Sequence, residues 1–185
     1  MAILPILLAP HPTLKTVAKP VTVIGPDLQA LAHDMLETMY DAPGIGLAAN
    51  QVGQLDRVLV MDCERDPEAP RQPRILFNPE ITWESEDLNS YEEGCLSIPQ
   101  QYADVERPAR VKVAYLDENG TAKEDLFEGL EATCVQHEID HLNGILFWDH
   151  VTQLKRNMLK RKLAKFKKEC ERQARVSGAG KSERP

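Results

Sequence analysis

The sequence lacks any apolar run of the length that a membrane-spanning helix needs, about 20 residues. Its start, residues 1–10, is apolar, but no basic segment precedes it, and Pro5 and Pro10 interrupt it. A secretory signal peptide needs both a basic segment and a longer apolar one. We therefore expect residues 1–10 to form a first strand or an extended arm of a cytoplasmic protein with no membrane partner.

Cysteine is scarce, with four residues in a chain of 185: Cys63, Cys95, Cys134 and Cys170. Two disulfides could in principle form between them. However, a chain of this length can build its own hydrophobic core, and this one shows no secretory signal. Free thiols or metal ligands are therefore the expected states of the cysteines.

Basic residues are fewer than acidic ones. The chain has 22 Lys and Arg residues and 29 Asp and Glu residues, which gives a net charge of -7. This balance argues against a surface coated for nucleic acid, and no DNA partner is expected. The charge is unevenly distributed, however. Residues 155–175 contain ten Lys or Arg and two Glu, a local charge of +8, so the rest of the chain carries -15.

The pattern of apolar residues predicts an α+β protein. Hydrophobic residues make up 42% of the chain and charged residues 28%, which is typical of a soluble globular domain. Asn119–Gly120 is a strong hairpin-turn signal, so the two segments that flank it should pair antiparallel. The expected elements are a helix from Pro26 to about Pro43, strands over 57–61, 75–83, 111–116 and 121–127, and a loop over 91–99.

Two helices are expected in the last third of the chain. A helical period begins near Glu128 and ends near Gly144, and a second, basic helix covers 152–172. We expect one domain over 1–176, in which antiparallel β-sheets pack around the first of these helices, and a disordered tail over 177–185.

The segment His137-Glu-Ile-Asp-His141 is the strongest chemical signal. Helical positions four residues apart lie on one face, so both imidazoles can reach one metal ion. Glu138 is then placed to contact a metal-bound water rather than the metal. The pattern predicts a metal-dependent hydrolase in which Glu138 transfers protons. The alternative is a solvated helix face with two unrelated histidines.

A catalytic metal ion usually takes a third protein ligand and keeps one position open for water. The downstream candidates are Asp149 and His150, and the upstream candidate is Cys95, which lies in a glycine-containing segment. A single cysteine is more often a small buried apolar residue than a ligand. The motif over 137–141 by itself leaves the choice between these candidates open.

Three motifs stand together in this chain: Gly44-Ile-Gly-Leu-Ala-Ala-Asn-Gln51, Glu93-Gly-Cys-Leu-Ser97 and Gln136-His-Glu-Ile-Asp-His141. In this order and spacing, the sequence resembles the bacterial-type peptide deformylases over roughly residues 4–170. Members of that family remove the formyl group from the initiator methionine of nascent proteins. The resemblance implies a hydrolase with N-formylmethionyl nascent peptides as its substrates.

The resemblance also implies a ligand set and a metal. Cys95, His137 and His141 are the implied ligands of one Fe(II) ion per chain, with water in the fourth position. Zinc, nickel or cobalt can take the place of iron in the family. A thiolate and two imidazoles suit zinc and iron equally, so the choice of iron comes from the resemblance alone.

Further roles follow from the resemblance. Glu138 is implied as the general base and then as the acid that protonates the leaving amine. The N–H of Leu96 and the side-chain amide of Gln51 hold the developing oxyanion, and Gly46 leaves room for the formyl group. The methionine pocket is implied at Ile45, Leu130, Cys134 and His137, with Glu93 nearby, although plain core packing is the alternative for Leu130 and Cys134. Gly94 is expected to offer a backbone edge on which an extended peptide pairs.

Some neighbouring residues are harder to assign from sequence. Tyr102 stands where the family often has a basic residue, which could alter the preference along the peptide. Arg107 either pairs with Glu93 or is a surface arginine. We expect Asp140 to be solvated and His150 to have no functional role.

Two questions keep alternative answers: the role of the basic helix and the function of the whole protein. The helix over 152–172 is either a solvated polar face or a contact to ribosomal RNA, and the resemblance favours ribosome contact. The HExxH motif alone also fits a zinc metallopeptidase that cleaves internal peptide bonds, with a downstream third ligand. A non-catalytic metal-binding or ribosome-associated module is disfavoured, because it would have no use for Glu138 and Gln51.

Overall fold

The computed structural model describes residues 2–66 and 68–179, with side chains up to residue 173. Within these residues the chain forms three α-helices and seven β-strands. Their order and antiparallel pairing confirm the predicted α+β class. The elements are α1 (Pro26–Asp41), β1 (Gly46–Ala48), β2 (Val58–Met61), β3 (Arg74–Glu84), β4 (Leu88–Cys95), β5 (Ile98–Pro108), β6 (Arg110–Leu116), β7 (Ala122–Glu128), α2 (Gly129–Leu142) and α3 (Gln153–Ala179).

The strands described here form an antiparallel sheet in the order β1-β2-β3-β6-β7 and a separate β4-β5 hairpin. The hairpin turn predicted at Asn119–Gly120 is confirmed. Gly120 has a φ of +76°, which favours glycine, and Leu116 pairs with Ala122 on either side of the turn.

The prediction of a loop over 91–99 is wrong. Most of this segment belongs to β4 and β5, which pair from Leu88 with Pro108 to Cys95 with Ile98. The prediction failed because the fully buried position of β4 is a glutamate, Glu93, so the strand lacks the apolar alternation that sequence patterns detect. The hairpin carries Cys95 to its tip.

Helix α2 lies at the centre of the molecule, since ten of its fourteen residues are buried. One side, including Val135, Ile139 and Leu142, packs on the large sheet against Leu59 and Phe127. Another side carries buried polar residues, which cannot be explained by apolar packing. These are Gln136, His137, Glu138 and His141.

Helix α1 packs on the large sheet, and the N-terminal arm lies beside the segment after β1. Met35 and Met39 of α1 pack with Val58 and Phe77. The arm is extended: the N–H of Leu7 donates to the carbonyl of Gln51 at 2.7 Å, and that of Ala9 donates to Ser97 at 2.9 Å. The arm thus holds the segment after β1 beside the tip of the β4-β5 hairpin.

Helix α3 docks through Leu159 and Leu163, which pack with Ile98 and Val105 of β5. It extends to Ala179, past the expected end at residue 172, and residues 180–185 of the expected tail lie outside the described residues. The division of the chain at residue 176 stays a prediction. No helix among the described residues is long and apolar enough to cross a membrane.

Candidate metal centre and cleft

The two histidines of the HExxH motif face each other on α2. Their ring centroids are 4.9 Å apart, and both side chains are buried. This is the arrangement that a spacing of four residues on a helix predicts. Two imidazoles buried side by side need a partner that can accept their lone pairs, and a metal ion is such a partner.

The third donor comes from the hairpin. Cys95 Sγ lies 3.1 Å from His141 Nε2, and the donor atoms of Cys95, His137 and His141 all lie within 4.8 Å of one another. The downstream candidates lie elsewhere. Asp149 accepts hydrogen bonds from Lys15 and from the N–H of Leu146, and His150 contacts Asp140. The structure therefore favours the upstream cysteine over both downstream candidates.

The residues present fit a divalent transition metal. Bonds of about 2.0–2.3 Å from nitrogen and sulfur to a tetrahedral ion place the donor atoms about 3.5 Å apart, close to the observed grouping. A thiolate and two imidazoles suit zinc or iron. Three protein donors also leave a fourth position open, as a catalytic site requires.

One histidine is oriented by a buried ion pair. Glu93 Oε2 lies 2.8 Å from His137 Nδ1, which leaves Nε2 to face Cys95 and His141. Arg107 donates to the same carboxylate through Nε at 2.6 Å and Nη2 at 3.1 Å. Burial alone would raise the pKa of Glu93, but these hydrogen bonds outweigh it and hold the pKa below its usual value. The contact suggested between Arg107 and Glu93 is thus present.

The expectation that Asp140 is solvated is wrong. Its side chain is only 17% exposed, because Oδ2 accepts from Arg107 Nη1 at 2.7 Å and lies 2.7 Å from His150 Nε2. Sequence could not reveal this contact, since Arg107 comes from β5 and the histidine from the segment after α2. The chain of contacts links half-exposed His150 to His137.

Glu138 occupies the position expected of an acid-base residue. It is buried on α2, and its Oε2 makes no hydrogen bond with the described residues. Burial raises the pKa of the Glu138 carboxyl to about 7, so both protonation states are accessible near neutral pH. Gly46 of β1 lies against it: a Cβ there would collide with Glu138 Oε1 and stand 2.9 Å from Cys134 Sγ.

Gln51 faces the same site with its orientation fixed. Its Oε1 accepts from the N–H of Ala48 at 2.8 Å, which turns the amide NH₂ toward Ser97 Oγ at 3.2 Å and Cys95 Sγ at 3.6 Å. Leu96, the next residue after Cys95, lies in the hairpin turn. Two neutral donors are thereby placed beside the candidate metal ligands.

A cleft of about 300 Å³ opens beside these groups. The predicted substrate-binding residues Ile45, Glu93, Gly94, Leu130 and Cys134 all line it, together with His137 and Glu138. Two further lining residues, Arg65 and Tyr102, were not predicted to line the pocket. Arg65 follows β2 at a distance in sequence from every motif, so no local signal could have placed it there.

Comparison with known proteins identifies the family. The sequence profile of the family described as polypeptide deformylase matches residues 3–157. A peptide deformylase from Phenylobacterium zucineum is 55% identical over 168 residues, covering 91% of this chain and 99% of that relative.

Solved structures agree with the profile. The crystal structure of a peptide deformylase from Legionella pneumophila has a TM-score of 0.86 at 46% identity, covering 92% of this chain and 99% of that one. A peptide deformylase from Acinetobacter baumannii, solved with Met-Ala-Ser bound, has a TM-score of 0.76 at 39% identity, covering 81% of this chain and 99% of that one. The chain therefore belongs to the polypeptide deformylase family and is a metal-dependent hydrolase.

Proposed function

We propose that this chain hydrolyses the formyl group from the N-terminal formylmethionine of nascent peptides and releases formate. One observation carries the proposal: the donor atoms of Cys95, His137 and His141 converge beside the buried carboxyl of Glu138, at one end of a cleft. The family match supports the same activity. Cleavage of internal peptide bonds, the alternative suggested by the HExxH motif alone, is not favoured by that match.

Cys95, His137 and His141 would hold the metal ion, and Fe(II) is the ion we propose, with zinc, nickel or cobalt as substitutes. When bound, such an ion supplies Lewis acidity, which acidifies water and polarises a carbonyl. The donor set supports a divalent transition metal in general. The preference for iron rests on the family and is tested by metal analysis.

Glu138 would move the protons of the reaction. Its raised pKa, about 7, suits a carboxylate that accepts the proton of the attacking water and then delivers it to the leaving amine. The carboxyl oxygen without a partner, Oε2, is free to contact that water. Gly46 keeps the space beside the carboxyl open for a substituent as small as a formyl group.

Gln51 and Leu96 would stabilise the negative charge that develops on the formyl oxygen. The carbonyl of the Gln51 amide is already engaged by Ala48, so its NH₂ need not reorient during the reaction. The main-chain N–H of Leu96 is a second neutral donor beside Cys95. Preoriented neutral donors of this kind typically contribute a factor of about 10²–10³ in kcat each.

The methionine side chain would enter the cleft between Ile45 and the α2 residues Leu130 and Cys134. Gly94 on β4 offers a backbone edge on which an extended peptide can pair. Main-chain pairing gives affinity without reading side chains, which fits an enzyme that acts on many sequences. Glu93, although it lines the cleft, has both oxygens engaged by Arg107 and His137, so its role would be to hold His137.

The direct test is formate release from formyl-Met-Ala-Ser by protein purified without oxygen, together with metal analysis. We expect rapid turnover and about one iron per chain. A control with the peptide acetyl-Met-Ala-Ser should release no acetate at a comparable rate, since the site is narrow at Gly46. Bound metal without formate release would contradict the proposed activity.

Helix α3 is proposed to contact the ribosome, which would place the enzyme in the cytoplasm beside emerging chains. The support is its charge of +8 over residues 155–175 in an otherwise acidic protein. Leu159 and Leu163 pack in the core, so removing the helix would disturb the fold. The exposed positions Arg161, Lys165 and Lys168 are better targets.

Reversing these three charges to glutamate should weaken ribosome binding in cosedimentation by at least tenfold, while turnover of a short peptide stays unchanged. A control variant reverses two exposed lysines outside the helix, Lys19 and Lys112. Equal ribosome binding by the wild type and the α3 variant would contradict the proposed contact.

A further inference from the structure

One arginine at the cleft, Arg65, has no partner for its charge among the residues that the structure describes. Arg65 is exposed and lines the cleft. Its guanidinium makes no hydrogen bond, ion pair or aromatic contact with the described residues. Arg57, Arg74 and Arg107, in contrast, are each paired with a carbonyl or a carboxylate. An unpaired arginine at a substrate cleft is available to a ligand.

The segment that carries Arg65 is tied to the wall of the cleft through Asp62. The buried carboxylate of Asp62 accepts from Tyr40 Oη at 2.7 Å and from the N–H of Glu64 at 3.1 Å. The N–H of Arg65 donates to Glu64 Oε1 at 2.8 Å. The N–H of Asp62 donates to the carbonyl of Ile45 at 2.9 Å. The segment that leads to Arg65 is therefore attached at Asp62 to Ile45, a residue of the cleft.

The charges of the cleft make this position distinctive. Its acidic residues are Glu92, Glu93 and Glu138. Glu93 is paired with Arg107, and Glu138 is buried on α2. Among the described lining residues, Arg65 is thus the basic residue at the rim, and exposed Glu92 on β4 is the acidic one.

We propose that Arg65 forms a carboxylate-binding subsite for the second or third residue of the substrate. The proposal rests on the proposed function, because it assumes that the methionine occupies the pocket and that the peptide continues over the rim. A guanidinium presents paired N–H donors that match a carboxylate. The protein accordingly favours formylated peptides with an aspartate or glutamate shortly after the methionine.

The test compares kcat/KM for formate release among C-terminally amidated peptides, so that no terminal carboxylate competes for Arg65. The peptides are formyl-Met-Ala-Glu and formyl-Met-Glu-Ala, each with its lysine and glutamine counterparts. The wild type should prefer glutamate over lysine about three- to tenfold at one of the two positions, through a lower KM. The preference should shrink in 1 M NaCl.

In Arg65→Gln the ratio of kcat/KM for the glutamate peptide to kcat/KM for the lysine peptide should fall to between one and two. Arg110→Gln carries the same charge change outside the cleft, where Arg110 pairs with Asp87, and should keep the wild-type preference. Glu92→Gln should also keep the wild-type preference for glutamate over lysine. A glutamate preference that survives Arg65→Gln, or no preference at either position, would overturn the proposal.

A binding measurement tests the Arg65 subsite independently of the proposed deformylase activity. The unformylated amides Met-Ala-Glu and Met-Glu-Ala and their lysine counterparts are titrated against the metal-loaded protein, and their Kd values are compared. An Arg65-dependent preference for glutamate in binding supports the subsite even if no peptide is deformylated. Equal Kd values for glutamate and lysine peptides would contradict the proposed subsite even if deformylation is rapid.

Discussion

The carboxylate of Glu93 lies 2.8 Å from Nδ1 of His137 and is itself held by two hydrogen bonds from Arg107. A histidine that engages a carboxylate through one ring nitrogen presents the other in a fixed direction with raised basicity. Arg107 also binds Asp140, which contacts His150. The position of one candidate metal ligand therefore depends on residues from β4, β5 and the segment after α2.

Replacing Glu93 by glutamine should weaken metal binding by about 10–100-fold, because the amide keeps the shape of the side chain but loses its charge. The measurement is chelator competition for the bound ion, at matched folded content by circular dichroism. The matched control is Glu92→Gln, which removes the same charge from the exposed neighbour on the same strand. Equal metal affinity in wild type and Glu93→Gln would show that His137 is oriented without Glu93.

Gly46→Ala should lower kcat/KM by about 10² or more, because the added Cβ meets Glu138 Oε1 and stands 2.9 Å from Cys134 Sγ. Metal content should stay at the wild-type level, since the donor atoms are not touched. The control is Gly25→Ala, whose Cβ meets nothing within 4 Å. Wild-type turnover in Gly46→Ala would mean that the space beside Glu138 is not used.

Asp149→Asn should destabilise the fold in a pH-dependent way. Burial alone would raise the pKa of Asp149, but Lys15 and the N–H of Leu146 hold it below its usual value. A carboxyl whose pKa is lower in the folded state stabilises the fold above its unfolded pKa, about 3.9. That stabilisation is lost as the pH falls through the folded pKa.

We therefore expect Asp149→Asn to cost about 1 kcal/mol of unfolding free energy at pH 7, a modest value because Lys15 is half-exposed. The cost should shrink as the pH falls below the unfolded pKa of about 3.9 and through the lower folded pKa. Urea unfolding at several pH values measures it. Asp104→Asn, at an exposed position, should cost little at any pH. A cost for Asp149→Asn that does not change with pH would contradict the stabilising role of the ionised carboxylate.

Sequence patterns predicted those parts of the fold that depend on local chemistry. Pro26 begins α1, Asn119–Gly120 forms its turn, and His137 and His141 share a face of α2. In each case the decisive interaction lies within a few residues along the chain. Periodicity and turn chemistry are sufficient for such cases.

The remaining features depend on contacts between distant segments. The strand that carries Glu93 was expected to be a loop, because a buried ion pair replaces apolar alternation there. Asp140 was expected in solvent, because its partner Arg107 is 33 residues away. Arg65 reaches the cleft only because β1 and β2 pair. No single-sequence pattern encodes these pairings.

The most direct test of the account is the variant Glu138→Gln, assayed for bound metal and for formate release from formyl-Met-Ala-Ser. We expect wild-type metal content, because Glu138 is not among the donors grouped at Cys95, and turnover reduced by a factor of about 10²–10⁴. Wild-type turnover in Glu138→Gln would contradict the account, because proton transfer would then not depend on that carboxyl.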